Sequence, residues 1–206
     1  MPQRQERKMS IEKEFENKSF FDTELVCPVT HKEPHISHWL SFKQAVERAK
    51  DMELPVFLFC EDDHVFTKAF DERKLERLIY EADVLEADLL LGGISWIRTT
   101  LQINERLFWT KQFNGTQFVI VFSRFYEKIL ERKQLDCGVV TDFTLSELSN
   151  RIFIAYPFIS IQKEFGYSDV TPKNNKKGYV RDLFKGTERK LEIQNKVRKF
   201  YMSQCQ

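Results

Sequence analysis

The chain has 206 residues and a mass of 24.6 kDa, the size of one domain or of one domain with a short appendage. With 42% hydrophobic and 31% charged residues and 19 Phe, it can bury a sizeable core, which excludes global disorder. Its 7 Gly and 6 Pro exclude collagen-like and linker-dominated chains. Lys+Arg (32) and Asp+Glu (31) nearly cancel to +1, so no global signature of a nucleic-acid or anionic-membrane binder is present.

Residues 1–8 are basic with no apolar core behind them, which is not a signal-peptide pattern. Cys27, Cys60, Cys137 and Cys205 lie far apart without a Cys-x-x-Cys; Cys60, inside an apolar run, reads as a buried free thiol, and a reduced cytoplasmic setting is expected. Residues 8–18 predict a charged helix too polar for a core, and 20–26 a short strand. Pro28 and Pro34 make 31–38 irregular. Over 38–52, Trp39, Leu40, Phe42, Ala45, Val46, Ala49 and Met52 recur at helical spacing. Residues 56–60 (Val-Phe-Leu-Phe-Cys) form a continuous apolar run, which suits a strand buried on both faces in a parallel sheet. A helix over 70–85, a strand over 87–91 stopped by Gly92-Gly93, and a polar, aromatic, aperiodic stretch over 96–113 follow. Asn114-Gly115 marks a turn. Then come a strand over 117–122, helices over 124–132 and 142–149, and a strand over 152–161 interrupted by Pro157. A basic loop over 172–182 and a charged helix over 184–201 close the chain. Strands alternating with helices predict an α/β fold with a mainly parallel central sheet flanked by helices.

Ligands bind at the carboxyl ends of strands in such sheets. Here that end carries Glu61-Asp62-Asp63, three adjacent carboxylates that strand packing does not require. Alternate residues of an extended chain face one way, so Glu61 and Asp63 can share one Mg²⁺ or Mn²⁺ bridging a diphosphate. The plainer reading is a solvated turn with acidic caps for the next helix. His31, His35 and His38 stand at i, i+4 and i+7, but Pro34 interrupts them and no Cys joins, which argues against a zinc site. Trp96, Phe108, Trp109 and Phe113 suit either core packing or a platform on which sugar rings stack. Gly92-Gly93 suits close approach of a ligand to the backbone. The basic, apolar-dotted C-terminal stretch suits a helix packed on the sheet with a solvated face, with an amphipathic helix on an anionic bilayer as the alternative.

Residues 56–66 (Val-Phe-Leu-Phe-Cys-Glu-Asp-Asp-His-Val-Phe) resemble the apolar strand and Glu-Asp-Asp signature of family 25 glycosyltransferases, the lipopolysaccharide and collagen-type sugar transferases. In the same order, Arg4 and Arg7 resemble that family's Leu-x-x-Arg-x-x-Arg turn, Ser37-His38 its Ser-His pair, and residues 114–118 the lead into its third strand. Tyr156-Pro157, Gln162 and Ser168-Asp169 resemble its closing segment. Against that pattern the chain is N-terminally short, and His35-Ile36 stand where Gly-Cys is usual. The resemblance implies a GT-A-like, Rossmann-like domain over residues 1–171, with 172–206 appended. It also implies transfer, with inversion, of a sugar from a nucleotide-sugar donor to a saccharide acceptor of a bacterial surface glycan. Asp142 would be the catalytic base. Arg4, Arg7, Glu61, Asp62 and Gly93 would bind the donor. Ser37, His38, Trp96 and Asp169 would line the acceptor pocket, and Glu61 and Asp63 would hold Mn²⁺ or Mg²⁺. No nucleic-acid partner is implied; a lipid-linked acceptor would bring peripheral contact with the inner membrane. Two alternatives stand beside it: a non-catalytic nucleotide- or sugar-binding member of the fold, and a Mg²⁺-dependent phosphotransferase. The latter needs a nucleophilic Asp where Glu61 stands.

Overall fold

The computed structural model describes residues 5–133, 135, 138–167, 174 and 176–204. The charged helix α1 (Gln5–Phe15) buries only Arg7 and Ile11. Helix α2 (Pro34–Asp51) starts at Pro34, because a proline in the first turn forfeits no helical hydrogen bond. Pro34 therefore opens the helix that the sequence has it interrupt. Trp39, Phe42, Val46 and Ala49 form its buried stripe. Strands β1 (Val56–Cys60) and β2 (His64–Phe66) flank the acidic cluster. Helix α3 (Glu72–Val84) is capped by Asp71, whose side chain accepts the Lys74 N–H at 3.0 Å. Then come β3 (Leu89–Leu91), β4 (Trp96–Gln102), β5 (Leu107–Asn114), β6 (Phe118–Phe122), a 3₁₀ turn at Ser123–Phe125, α4 (Tyr126–Glu131), α5 (Thr141–Leu148), β7 (Ile152–Ala155), β8 (Ser160–Gln162) and α6 (Tyr179–Gln204).

The six-stranded sheet has the order β1-β6-β3-β7-β5-β4, and β2 and β8 form a separate two-stranded ladder. Among the described residues β3 and β7 are the one parallel pair, every other pairing being antiparallel. The sheet is thus mostly antiparallel, not mainly parallel. The apolar runs that suggested parallel strands arise because both faces are covered. Leu89, Leu91, Val119, Val121, Ile152 and Ile154 pack with α2, α4, α5 and α6. Leu90, Phe118, Ile120, Phe122, Phe153 and Ala155 pack with α3.

Three further expectations are corrected. Residues 20–26 form no strand; Phe21 anchors the segment against Phe15 at 5.1 Å, while Leu25 stays exposed. The aperiodic 96–113 stretch is the β4–β5 hairpin. It shows little period because Leu107 and Phe108 are both buried while β4 is largely solvated. The 152–161 run divides into β7 and β8, which belong to different sheets. Cys60 is a half-buried free thiol whose pKa burial raises well above its ordinary value. Among the described residues no helix is long and apolar enough to cross a membrane.

Candidate active site

The acidic cluster bridges the two sheets. The Glu61 N–H donates to the Gln117 carbonyl at 3.2 Å, extending the β1–β6 ladder, and the Lys163 N–H donates to the Asp63 carbonyl at 2.7 Å, extending β2–β8. Residues 61–63 are thereby pinned at the mouth of an open, polar cleft with a water-accessible volume of about 240 Å³. Arg7, His38, Glu61, Asp63, Thr116 and Asp142 line it, with Gln162, Phe165 and Tyr167 among the remaining wall residues.

Asp142 stands in the first turn of α5 and is buried. Its Oδ2 accepts the Gly115 N–H at 3.0 Å and its Oδ1 the Phe143 N–H at 2.8 Å. Gly115 has φ of 122°, a conformation open to glycine and disfavoured for other residues, and this turn aims its N–H at the carboxylate. Burial pushes the Asp142 pKa up to about 6, against the pull of those two N–H groups.

His38 projects from α2. Its Nδ1 lies 2.7 Å from Thr141 Oγ1 and its Nε2 3.3 Å from Glu61 Oε1. Thr116 Oγ1 donates to the same Glu61 oxygen at 2.5 Å. Burial alone would lower the His38 pKa, but the Glu61 carboxylate, with the Asp142 and Asp63 charges behind it, outweighs it and the net shift is upward. Burial alone would raise Glu61, yet His38 and Thr116 hold it below its ordinary value.

Asp63 is buried. Its Oδ2 accepts from Gln162 Nε2 at 2.7 Å and from Arg7 Nη1 at 3.3 Å. Its Oδ1 is buried with no hydrogen-bond partner among the described residues. Burial and then the neighbouring Glu61 charge raise its pKa to about 7. Arg7 also donates to Asp62 at 2.8 Å and to the Tyr167 carbonyl at 3.0 Å. Its guanidinium sits 4.7 Å from the Phe165 ring centroid and 4.8 Å from that of Tyr167, within cation–π range. One internal cation therefore holds two of the three adjacent carboxylates.

Arg7, His38, Glu61, Asp63 and Asp142 thus come together in one cleft. Asp62 reaches it through Arg7. Ser37 does not line it: its hydroxyl donates to the Val29 carbonyl at 2.5 Å and ties the incoming loop to α2. Gly93 is also outside. A Cβ there would lie 2.0 Å from the Ser160 carbonyl oxygen, so this glycine serves chain packing against Ser160. Trp96, on the edge strand β4, is 38% exposed and sits 6.1 Å from Phe143, away from the cleft lining. Arg4 and Asp169 lie outside the described residues. Phe165 and Tyr167 join the site without periodicity to mark them; the aromatic pair one residue apart beside Lys163 is the signal available.

Among the described residues no three His, Cys, Asp or Glu side chains cluster closely enough to hold a metal ion by themselves. Mg²⁺ is commonly held by one or two carboxylates, with substrate phosphate and water completing the shell. Glu61 and Asp63, the latter with its unpartnered oxygen, fit that partial donor set. The chain matches no protein-family model and no curated protein sequence.

Proposed function

We propose that the chain is a glycosyltransferase that moves a sugar from a nucleotide-sugar donor to a saccharide hydroxyl, with inversion, and that Asp142 is its general base. One observation carries this reading: Asp142 and Asp63, remote in sequence, share a polar cleft in which burial lifts both into the pH 6–7 range. A carboxylate with a pKa near the working pH is suited to take a proton during attack. Under this reading the six-stranded sheet, with β1 feeding the acidic cluster, is a GT-A-like core. The resemblance of residues 56–66 supports a surface-glycan acceptor built in the cytoplasm.

The acceptor hydroxyl gives its proton to Asp142 as its oxygen bonds to the anomeric carbon. The bond from that carbon to the nucleoside diphosphate breaks, and the electron pair leaves with the phosphate. A Mg²⁺ or Mn²⁺ held by Asp63 and Glu61 would neutralise charge on the departing diphosphate. Arg7 fixes Asp63, and Gln162 orients it. His38 keeps Glu61 ionised and, through Thr141, steadies the start of α5 that carries Asp142. Titration calorimetry with UDP, with and without Mn²⁺, tests the donor half. Native protein and Asp142→Asn should bind in a Mn²⁺-dependent manner, and Asp63→Ala should not. Equal binding in every arm would overturn it.

A further inference from the structure

Helix α6 is two-faced along its distal half. Val180, Phe184, Thr187 and Leu191 face the core, and the Thr187 hydroxyl donates to the Ser95 carbonyl at 2.7 Å. Gln194 donates to Thr100 at 2.6 Å, and Asn195 accepts from Gln102 at 2.9 Å. Those bonds fix the rotation of the helix about its axis. Ile193, Val197, Phe200 and Tyr201, at i, i+4, i+7 and i+8, share another face, turned away from that of Leu191. Each is between 51% and 65% exposed. At helical spacing Arg189 and Lys196 border this stripe on one side, and Lys190 lies in line with it about one turn before Ile193. Lys196 pairs with Glu192 at 2.7 Å, an exposed contact that water and salt weaken. Between Lys185 and Lys199 six basic residues face two acidic ones, in a chain whose total is +1.

We propose that this face of α6 docks on an anionic lipid bilayer. An apolar stripe bordered by Lys and Arg matches both layers of such a surface: the stripe enters the headgroup–acyl boundary and the cations meet lipid phosphate. A nucleic acid would use the charges and leave four apolar side chains in water. A second copy would bring two like-charged helices together. This surface is remote from the acidic residues of the cleft, so the inference stands or falls apart from the transferase reading.

Co-sedimentation of the full chain with vesicles tests it. Phosphatidylcholine alone should not carry the protein down. Phosphatidylcholine mixed with phosphatidylglycerol should do so at low salt, and less at physiological salt. Each of the changes Arg189→Gln and Lys190→Gln should weaken partitioning about five-fold, from the ~1 kcal/mol that a basic residue contributes near an anionic surface. The double variant Val197→Glu, Phe200→Glu should abolish it at an unchanged melting temperature, because both side chains are exposed. Equal sedimentation with both vesicle types, or full binding by that double variant, would overturn the proposal. So would tighter binding to single-stranded RNA than to the anionic vesicles, or a dimer that the double variant dissolves without vesicle binding.

Discussion

Asp142 owes its raised proton affinity to burial, which outweighs the backbone N–H that each of its oxygens accepts at the start of a short helix. As a base it works only when ionised, so kcat/KM should rise with pH through about 6. Asp142→Asn should lose roughly 10²–10⁴-fold in transfer rate, the usual worth of a positioned base, and its residual rate should lack that rise. Asp63 gives a stability signature of the same sign. Its folded pKa, about 7, stands above the ordinary 3.8, so the folded state holds a proton that the unfolded chain has released. The contribution is full below about pH 4 and is lost as pH climbs through about 7. Urea midpoints measured from pH 4 to 8 should fall over that window, and Asp63→Asn should flatten the fall. The His38–Glu61 pair behaves differently. His38, raised from 6.5, contributes fully below that value and less as pH rises past its folded pKa. Glu61, lowered from 4.5, contributes above that value and loses its share as pH falls.

Helices α2 and α3 end alike. Leu54 N–H bonds to the Ala49 carbonyl and Glu53 N–H to that of Lys50; Ala87 and Glu86 repeat the pattern on Ala82 and Asp83. Each is a Schellman ending, whose left-handed position favours glycine. Here glutamate fills it, at φ 53° for Glu53 and 54° for Glu86. Relief of that conformation outweighs the extra chain entropy of glycine, so Glu53→Gly should stabilise the protein by about 0.5–1 kcal/mol. Thermal melting should register this as a rise of roughly 1–4 °C. The element level is also where sequence and structure agree most. The α2 stripe and the β1 and β6 runs are legible because each buries a regular set of side chains. Strand direction is not legible: Val119 and Ile120 face opposite covered layers, and a strand buried on both faces reads the same in either direction. The β4 strand hides for the reverse reason, since it is an edge strand with few buried positions. Of the cleft, the acidic cluster stands out because adjacent carboxylates repel. Thr116 and Gln162 stand in segments that the resemblance marks without giving them a role, and Thr141 enters through a tertiary bond that no local pattern announces.

At the scale of the molecule the cleft is sewn from α1, α2, the β1–β2 link, the β5–β6 turn, α5 and the segment after β8. A ligand bound there touches segments from most of the chain, so it opposes unfolding of the molecule as a unit. A nucleoside diphosphate at 100 times its Kd, with Mn²⁺, should add about 2.7 kcal/mol and raise the melting temperature by roughly 5–11 °C. The Asp63→Ala variant should show no such rise in a thermal-shift assay. The same sewing has a consequence for synthesis. Arg7 waits for Asp62 and Asp63, 55 and 56 residues away, and then for the Tyr167 carbonyl, 160 residues away. At ~5–20 residues per second a ribosome takes about 8–32 seconds to cover that last interval. Until then β2 lacks β8 and Asp63 lacks Gln162. The growing chain can assemble α2 on β1 early, but the cleft closes late and all together, so a product cut short before β8 carries the acidic cluster without the walls that give it its chemistry.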